Sequence, residues 1–168
     1  MLVAAMNPCP CGYFGHPARK CTCTDKQVSS YLSKISGPLL DRIDLHIEVA
    51  PVEYSDLSSK ANEENSQTIR ERIAKVREIQ QKRFEGTEIT CNAQITPALL
   101  QKFCPLDDEA STMLENAFNK MGLSARAYDR ILKVARTVAD LDGAEVIGKT
   151  HIAQAIQYRS LDRKYWAR

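Results

Sequence analysis

The stretch Ser36-Gly37-Pro38-Leu39-Leu40-Asp41-Arg42-Ile43-Asp44-Leu45 joins a turn to a predicted strand. Gly37-Pro38 interrupts any helix that precedes it, because proline lacks the amide proton that a helix interior requires. From Ile43 onward, apolar and polar residues alternate as far as Val49, which is typical of a half-buried strand. Arg42 therefore stands where a rigid corner enters that strand.

Two interpretations of Arg42 remain open from the residues alone. The side chain can pair with the flanking Asp41 and Asp44, and this is the simpler arrangement. It can also face an anion, because a guanidinium group makes forked contacts with phosphate. The first arrangement is a structural ion pair, whereas the second is a candidate phosphate contact.

The composition of this 168-residue chain favours a globular protein without a strong overall charge. Hydrophobic residues make up 43% and charged residues 26%, and the net charge is +2. No apolar run approaches the roughly 20 residues that a membrane span needs, and the opening apolar run is too short for a signal peptide. We therefore expect a cytoplasmic protein without a membrane partner. Basic residues gather locally, and a solvated helix face is the ordinary interpretation of such groups, among them Arg126, Arg130, Lys133 and Arg136.

Four cysteines near the start of the chain follow the pattern C-x-C-x9-C-x-C: Cys9, Cys11, Cys21 and Cys23. Four thiolates can close a tetrahedral zinc site. The segment holds few residues that could build a core, so a metal would supply the order that packing cannot. The alternatives are four reduced thiols in a flexible loop, or a redox pair. His16 lies between the two cysteine pairs and is either a bystander or a substitute ligand.

Helical patterns dominate the rest of the chain. Thr24 and Gln27 form a capping box that predicts a helix over residues 25–35, and the polar stretch 52–65 is typical of a linker. The clearest helix follows Ser124, where apolar residues recur at helical spacing. The later part is therefore predicted to be a bundle of about four to five helices. Their predicted first residues or caps are Ser66, Thr96, Leu106, Ser124 and Thr150.

Two further polar residues occupy positions where ligands bind in other folds. Residues 2–6 read as a buried strand, and Asn7 follows at its end, where α/β sheets bind ligands; a simple strand-ending turn is the alternative. Arg126 falls in the first turn of the helix capped by Ser124. A helix amino terminus together with an arginine favours an anion, although an arginine that merely reaches solvent is the commoner case.

In chain order, these segments resemble the carboxyl-terminal part of magnesium-chelatase-like AAA+ ATPases, and in particular the bacterial YifB/ComM competence-protein group. Ala4-Ala5-Met6-Asn7-Pro8 resembles the sensor 1 strand, and the stretch around Arg42 resembles the arginine finger. The cysteine segment resembles the insertion that follows sensor 1 in the bacterial group. The helix that begins Ser124-Ala125-Arg126 resembles the sensor 2 helix.

The resemblance implies a role for each of these residues in a full-length protein that uses ATP and Mg²⁺. Arg42 would reach the γ-phosphate of ATP in a neighbouring subunit of a homo-oligomeric ring. Asn7 would orient the attacking water, and Arg126 would grip the phosphates from a helical lid. The implied function is an ATP-driven motor that acts on DNA, as a helicase-like branch-migration enzyme in natural transformation.

The resemblance also implies a mainly α-helical fold, in which an incomplete α/β remnant of the AAA+ core precedes a helical lid. The expected divisions are residues 1–51 for the remnant, 52–65 for a linker and 66–168 for the lid. No G-x-x-x-x-G-K-[ST] motif of the sequence follows a predicted strand, as a phosphate loop requires, so we expect the chain alone not to hydrolyse ATP. Without the central strand of that core, residues up to about 60 are expected to be poorly ordered or rearranged.

Three other functions stay open at this point. The chain can be a subunit of a magnesium chelatase, although the cysteine segment points to the bacterial competence group. It can be a stand-alone, zinc-dependent nucleic-acid-binding module, whose affinity would fall steeply as salt rises. It can also be a helical interaction domain without chemistry, with Arg42 and Arg126 as ordinary surface residues.

Overall fold

The computed structural model describes residues 1–52 and 64–159, which form two compact units. The first unit lies within residues 1–52 and the second within 64–159. The described residues are mainly α-helical, as predicted. No helix among them is both long and apolar enough to cross a membrane. The helices are α1 (Asp25–Leu32), α2 (Gly37–Leu40), α3 (Ser66–Arg83), α4 (Leu100–Phe103), α5 (Asp108–Met121), α6 (Ala125–Leu141) and α7 (Lys149–Gln157).

The first unit is built around α1 and the cysteine segment. The predicted capping box is confirmed, since the Thr24 side chain accepts from the Gln27 backbone and the Gln27 side chain accepts from the Thr24 backbone. Val28 and Leu32, on the buried side of α1, pack against Cys9 in a small apolar cluster. Within residues 1–52 this cluster is small, so burial of its side chains contributes only modestly, at about 1.5–3 kcal/mol for each fully buried aliphatic side chain.

The two predicted strands do not form in the described residues. In the part of the chain that the structure describes, residues 2–6 and 43–49 are not assigned to a strand, and Leu2, Val3, Ile47 and Val49 are exposed. The predictions were wrong because apolar alternation specifies only which face a strand would bury, whereas a strand also needs a regular ladder with a second strand. Between them, the turn predicted at Gly37-Pro38 is a single helical turn, α2, with proline in its first positions.

The second unit is a helical bundle that packs around α6. Ser124 caps this helix as predicted, because its hydroxyl oxygen accepts from the Ala127 N–H at 3.1 Å. Gly122, with φ +53°, ends α5 in the left-handed conformation that glycine adopts without strain. The core residues shared by the helices and turns of this unit are Phe84, Ile95, Leu100, Phe103, Leu114, Ile131, Leu132, Ile147 and Ile152.

Several helix starts differ from their predictions. The cap of α3 is Asn65, whose side chain accepts from the Thr68 N–H, so Ser66 is the first helical residue. Helix α7 begins after Gly148 instead of at Thr150, because His151 Nδ1 accepts from the Gly148 N–H at 2.9 Å. The prediction at Thr96 is partly confirmed, since that residue precedes a short 3-10 turn, Pro97–Leu99, that leads into α4.

A buried carboxylate, Asp140, joins four segments of the second unit. Arg83 of α3 makes a forked contact with both of its oxygens, and Arg136 Nε donates to it at 3.0 Å. Asn92 Nδ2 donates at 2.8 Å from the turn Asn92–Gln94. Arg136 also donates to the carbonyls of Ala144 and Glu145, in the segment that leads to α7.

This network corrects the prediction of a solvated basic face. Arg136 is only 1% exposed and lies inside the bundle, where it is paired at helical spacing with Asp140. Burial alone would raise the pKa of Asp140, but hydrogen bonds from Arg83 and Asn92 outweigh it and hold the pKa below its usual value. The carboxylate is therefore ionised in the folded protein at neutral pH.

We predict that Asp140→Asn lowers the free energy of unfolding by about 3–5 kcal/mol, because it leaves the buried Arg136 guanidinium without its counter-charge. Urea unfolding of the chain at neutral pH, followed by helical circular dichroism, measures this loss. The matched control is Glu115→Gln, an exposed carboxylate on α5, which should change stability by no more than about 0.5 kcal/mol. Equal effects in the two variants would contradict the role assigned to Asp140.

The same carboxylate predicts an acid-dependent loss of stability. Since the pKa of Asp140 is lower in the folded state than in the unfolded state, acid protonates the unfolded chain first. Stability should therefore fall as the pH drops below about 4, the usual pKa of aspartate. The pH slope of the unfolding free energy in this range should be smaller in Asp140→Asn than in the wild type, and identical slopes would rule the prediction out.

Candidate functional site

The four cysteines predicted from the sequence pattern come together in one cluster in the first unit. The Sγ atoms of Cys9 and Cys11 are 3.4 Å apart, those of Cys9 and Cys21 3.7 Å, and those of Cys11 and Cys21 3.5 Å. With Cys23, all four Sγ atoms lie within 4.8 Å of one another. Cys9 is fully buried and the other three are partly exposed.

Local backbone geometry brings the first cysteine pair into this arrangement. The Gly12 N–H donates to the Cys9 carbonyl at 3.1 Å and closes a tight turn. Gly12 has φ +83°, a backbone conformation that glycine adopts readily and that residues with a Cβ atom disfavour. The Asn7 side-chain amide lies over this glycine, about 3.7 Å from where a Cβ would stand. The second pair directly precedes the Thr24 cap of α1, so the helix start fixes its position.

The thiols of the cluster differ in their tendency to ionise. Backbone N–H groups of Tyr13 and Thr22 lower the pKa of Cys11 to about 5. The Cys23 backbone also lowers the pKa of Cys21, but burial and the contacts with Cys11 and Cys9 outweigh it and raise that pKa to about 12. Cys11 is therefore the first of these two thiols to ionise, and its thiolate accepts hydrogen bonds from the neighbouring thiols of Cys9 and Cys21.

The cluster fits a tetrahedral metal with four sulfur ligands. A Zn–S bond of about 2.3 Å implies an S–S separation of about 3.8 Å at the corners of a regular tetrahedron. The three separations given above are within a few tenths of an ångström of that value. His16 stands outside the group, because its Nδ1 accepts from the Ala18 and Arg19 N–H groups at 3.0 Å.

Arg42, the predicted finger residue, also lies in the first unit. Its side chain is exposed, and Nη1 donates to the Pro38 carbonyl at 2.8 Å, one turn earlier. No ion pair joins it to Asp41 or Asp44 within residues 1–52. The structural ion pair favoured by the residues alone is therefore not formed, and the remaining donors of the guanidinium face solvent.

Arg126, the predicted sensor 2 residue, lies in the second unit. It occupies the second position of α6, beside the Ser124 cap, as predicted. The side chain is exposed, and it forms no ion pair or hydrogen bond within the described part of the bundle. The positive end of a helix disfavours a cation by about 0.3–1 kcal/mol, so this arginine is placed where an anion would stabilise both it and the helix.

The structure thus gathers the cysteines and Asn7 in one small region, while Arg42 and Arg126 lie with exposed side chains in the first and the second unit, respectively. Sequence reasoning did not single out Lys26 and Lys34, which lie near the start of α1 and just past its end and line a shallow groove together with Tyr31. Their signal in the sequence is weak, because lysines along a helix are ordinarily a solvated face.

Family models match nearly the whole chain. Residues 1–57 match the model described as magnesium chelatase, subunit ChlI. Residues 63–159 match the model described as magnesium chelatase, subunit ChlI C-terminal. The second match covers more than half of the chain and includes the bundle that carries Arg126.

Curated relatives extend the comparison. The competence protein ComM of Haemophilus influenzae is 42% identical over 163 residues, which are 96% of this chain. The protein YifB of Escherichia coli is 41% identical over 165 residues, and that of Salmonella typhimurium is 39% identical over 164 residues, again 96% of this chain. The chain spans 31% of the length of each of these relatives.

Proposed function

The chain belongs to the magnesium-chelatase family, and from this membership we propose that it is part of an ATP-driven ring motor that acts on DNA. The observation that carries the proposal is Arg126. It is an exposed arginine, with no ion pair among the described residues, in the first turn of a helix capped by Ser124, in the segment that the family model matches. Such a residue is suited to holding a phosphate, since charge and helix dipole act together on an anion.

Arg42 would act on the nucleotide of a neighbouring subunit. Its anchor on the Pro38 carbonyl uses one of five N–H donors, so a forked contact with phosphate is still available. In phosphoryl transfer such an arginine stabilises the charge of the transition state. Asn7 would orient the attacking water, for which its exposed amide has both a donor and an acceptor.

DNA is proposed as the substrate because the chain is 42% identical to a relative named as a competence protein. A chelatase subunit is the second candidate, since the family models carry the description of a magnesium chelatase subunit. The two differ in what stimulates ATP turnover in the full-length protein, which is DNA for the motor and a porphyrin-bearing partner for the chelatase.

Residues 143–150 have the spacing of a phosphate-loop motif, but they link α6 to α7 and follow a helix instead of a strand. The Ile147 and Gly148 N–H groups, which would have to face a phosphate, already donate to the Pro105 carbonyl and to His151 Nδ1. This chain alone is therefore proposed to be inactive toward ATP.

Zinc is proposed as the structural metal of the first unit, held by Cys9, Cys11, Cys21 and Cys23. The support is the tetrahedral spacing of the sulfurs and the small size of the apolar cluster beside them. Four protein ligands leave no open position for a substrate, so the metal would stabilise the fold and take no part in chemistry.

In the full-length protein, Arg42→Ala should keep nucleotide binding and lose about 10³–10⁵ in the rate of ATP turnover, because only the transition state loses a contact. Arg126→Ala should weaken nucleotide binding as well as turnover, since its contact also exists in the ground state. Both are measured by steady-state ATP hydrolysis and by titration with a fluorescent nucleotide.

Arg70→Ala is the matched control for these two variants, because Arg70 is an exposed arginine of α3 outside the matched arginine motifs. It should leave turnover unchanged. Wild-type turnover in Arg42→Ala or in Arg126→Ala would contradict the corresponding role, and wild-type turnover in both would refute the motor proposal for this chain.

The zinc proposal predicts about one tightly bound zinc ion per chain. Cys11→Ser and Cys21→Ser should each lose the metal and release the α1 region from its folded position, because three ligands no longer close the site. Metal analysis and a two-dimensional amide spectrum measure both effects. Cys91→Ser, outside the cluster, is the control and should retain the metal. Metal retention in the cluster variants, or none in the wild type, would exclude the zinc site.

A further inference from the structure

The first half of helix α3 extends from the described bundle. Every residue from Ser66 to Lys75 is exposed, whereas Val76, Gln80 and Phe84, further along the chain, are buried. At about 1.5 Å per residue, the exposed part is about 15 Å long. The second half of the helix therefore anchors α3 in the second unit, and the first half offers its surface to solvent.

Five residues of α3 share one face, because they follow one another at alternating intervals of four and three: Ile69, Ile73, Val76, Gln80 and Arg83. This is the spacing of the a and d positions at which two helices pack along a seam. In the second half of α3 this face is turned to the bundle, where Val76 and Gln80 are buried. In the first half Ile69 is 37% and Ile73 50% exposed. The two isoleucines therefore continue a surface that already serves for helix packing.

Charged residues are sorted around this face. With about 100° between successive residues of a helix, Arg70 and Arg77 border it on one side and Arg72 on the other. Glu71 and Glu78 lie on the opposite side of α3. The exposed isoleucines are thus bordered by arginines and kept apart from the glutamates of their own helix.

Two of the bordering arginines have no acidic partner in the described structure. Arg72 is paired with Glu64, with 2.9 Å between Nη1 and Oε1. Arg70 and Arg77 form no ion pair among the described residues, and the residues three and four positions from each of them are uncharged. Residues 64–79 are nearly neutral as a whole, with four basic and three acidic residues. The position of the two arginines, and not a local surplus of charge, therefore favours a carboxylate beside this face.

The buried half of the same face shows what kind of partner it accepts. There α3 lies against α6, and Arg83 makes a forked contact with Asp140 of that helix. Gln80 Nε2 also donates to Asp140, at 3.4 Å. The partner of this half is thus an amphipathic helix that presents a carboxylate to an arginine. A second helix with acidic residues beside its apolar stripe would meet Arg70 and Arg77 in the same way.

A second copy of α3 would not suit this face. In a parallel pair, Arg72 of one copy would lie beside Arg77 of the other, and in an antiparallel pair Arg70 would lie beside Arg77. Like charges repel in both arrangements. Two isoleucines from each copy would also bury far less than the roughly 800 Å² per partner of a stable interface.

We propose that the first half of α3 binds an acidic amphipathic helix of a partner protein. Apolar residues of that helix would cover Ile69 and Ile73, and its carboxylates would pair with Arg70 and Arg77. The inference depends neither on the zinc site nor on the nucleotide contacts. ATP turnover by the isolated full-length protein involves no such partner, so Arg70→Ala remains a control for that measurement.

The test is a titration of this chain with a synthetic peptide, followed in two-dimensional amide spectra, which detect the weak binding expected of so small a face. The peptide is about three heptads long, with leucine at a and d and glutamate at e and g. Amide shifts should be confined to residues 66–79. A peptide with lysine in place of glutamate should cause none, because it would place like charges beside the arginines.

Arg70→Glu/Arg77→Glu should weaken binding of the acidic peptide by at least about tenfold and allow the lysine peptide to bind, because the charges beside the face are reversed. Ile69→Ser/Ile73→Ser should lose binding of both peptides. The matched control is Lys75→Glu/Lys82→Glu, which changes the net charge equally at exposed positions of α3 away from the face. It should bind like the wild type.

Four results would overturn the proposal. They are no amide shifts in the wild-type chain, equal weakening in the arginine and lysine variants, larger shifts at residues 66–79 with a short DNA duplex than with the acidic peptide, and failure of the full-length protein to bind the acidic peptide that the chain binds. The last result would mean that the face is covered within the full-length protein itself.

Discussion

The second unit depends on a single buried carboxylate. Asp140 is 2% exposed and receives donors from α3, from the turn Asn92–Gln94 and from its own helix. A charge in such a place costs several kcal/mol unless its partners are fixed. Because those partners belong to different segments, the requirement for pairing also fixes where the segments lie. Arg136 extends this constraint to the carbonyls that precede α7.

The described part of the first unit has a small apolar cluster and four clustered cysteines in place of a buried ion-pair network. Its apolar cluster is small, and its exposed apolar residues, such as Leu2, Val3 and Val49, gain nothing from burial. The four sulfurs lie at the spacing that a tetrahedral metal would require, and the proposed zinc would add stability to the small apolar cluster of residues 1–52.

Several helix ends and the cysteine cluster could be predicted from local sequence patterns. The caps at Thr24 and Ser124, the end of α5 at Gly122 and the grouping of the cysteines depend on neighbours a few residues away, which the sequence displays directly. The absence of strands at 2–6 and 43–49 from the described structure could not be predicted, because local alternation does not show whether a second strand is available for pairing. The burial of Arg136 could not be predicted, although its helical spacing from Asp140 is visible in the sequence, because Arg83 and Asn92, the other partners of Asp140, are distant in sequence. The linker predicted at 52–65 lies largely outside the described residues, as does the end of the predicted lid, and these domain boundaries remain predictions.

The functional account assigns Arg126 to the nucleotide of its own subunit and Arg42 to that of a neighbour. A subunit-mixing measurement tests this division most directly. Full-length Arg42→Ala and Arg126→Ala proteins, each inactive alone, are combined and their ATP turnover is measured. The account predicts that turnover reappears in the mixture, because a site with an intact Arg126 can receive Arg42 from the adjacent subunit. Turnover no greater than the sum of the separate variants, in rings shown to contain both, would contradict it.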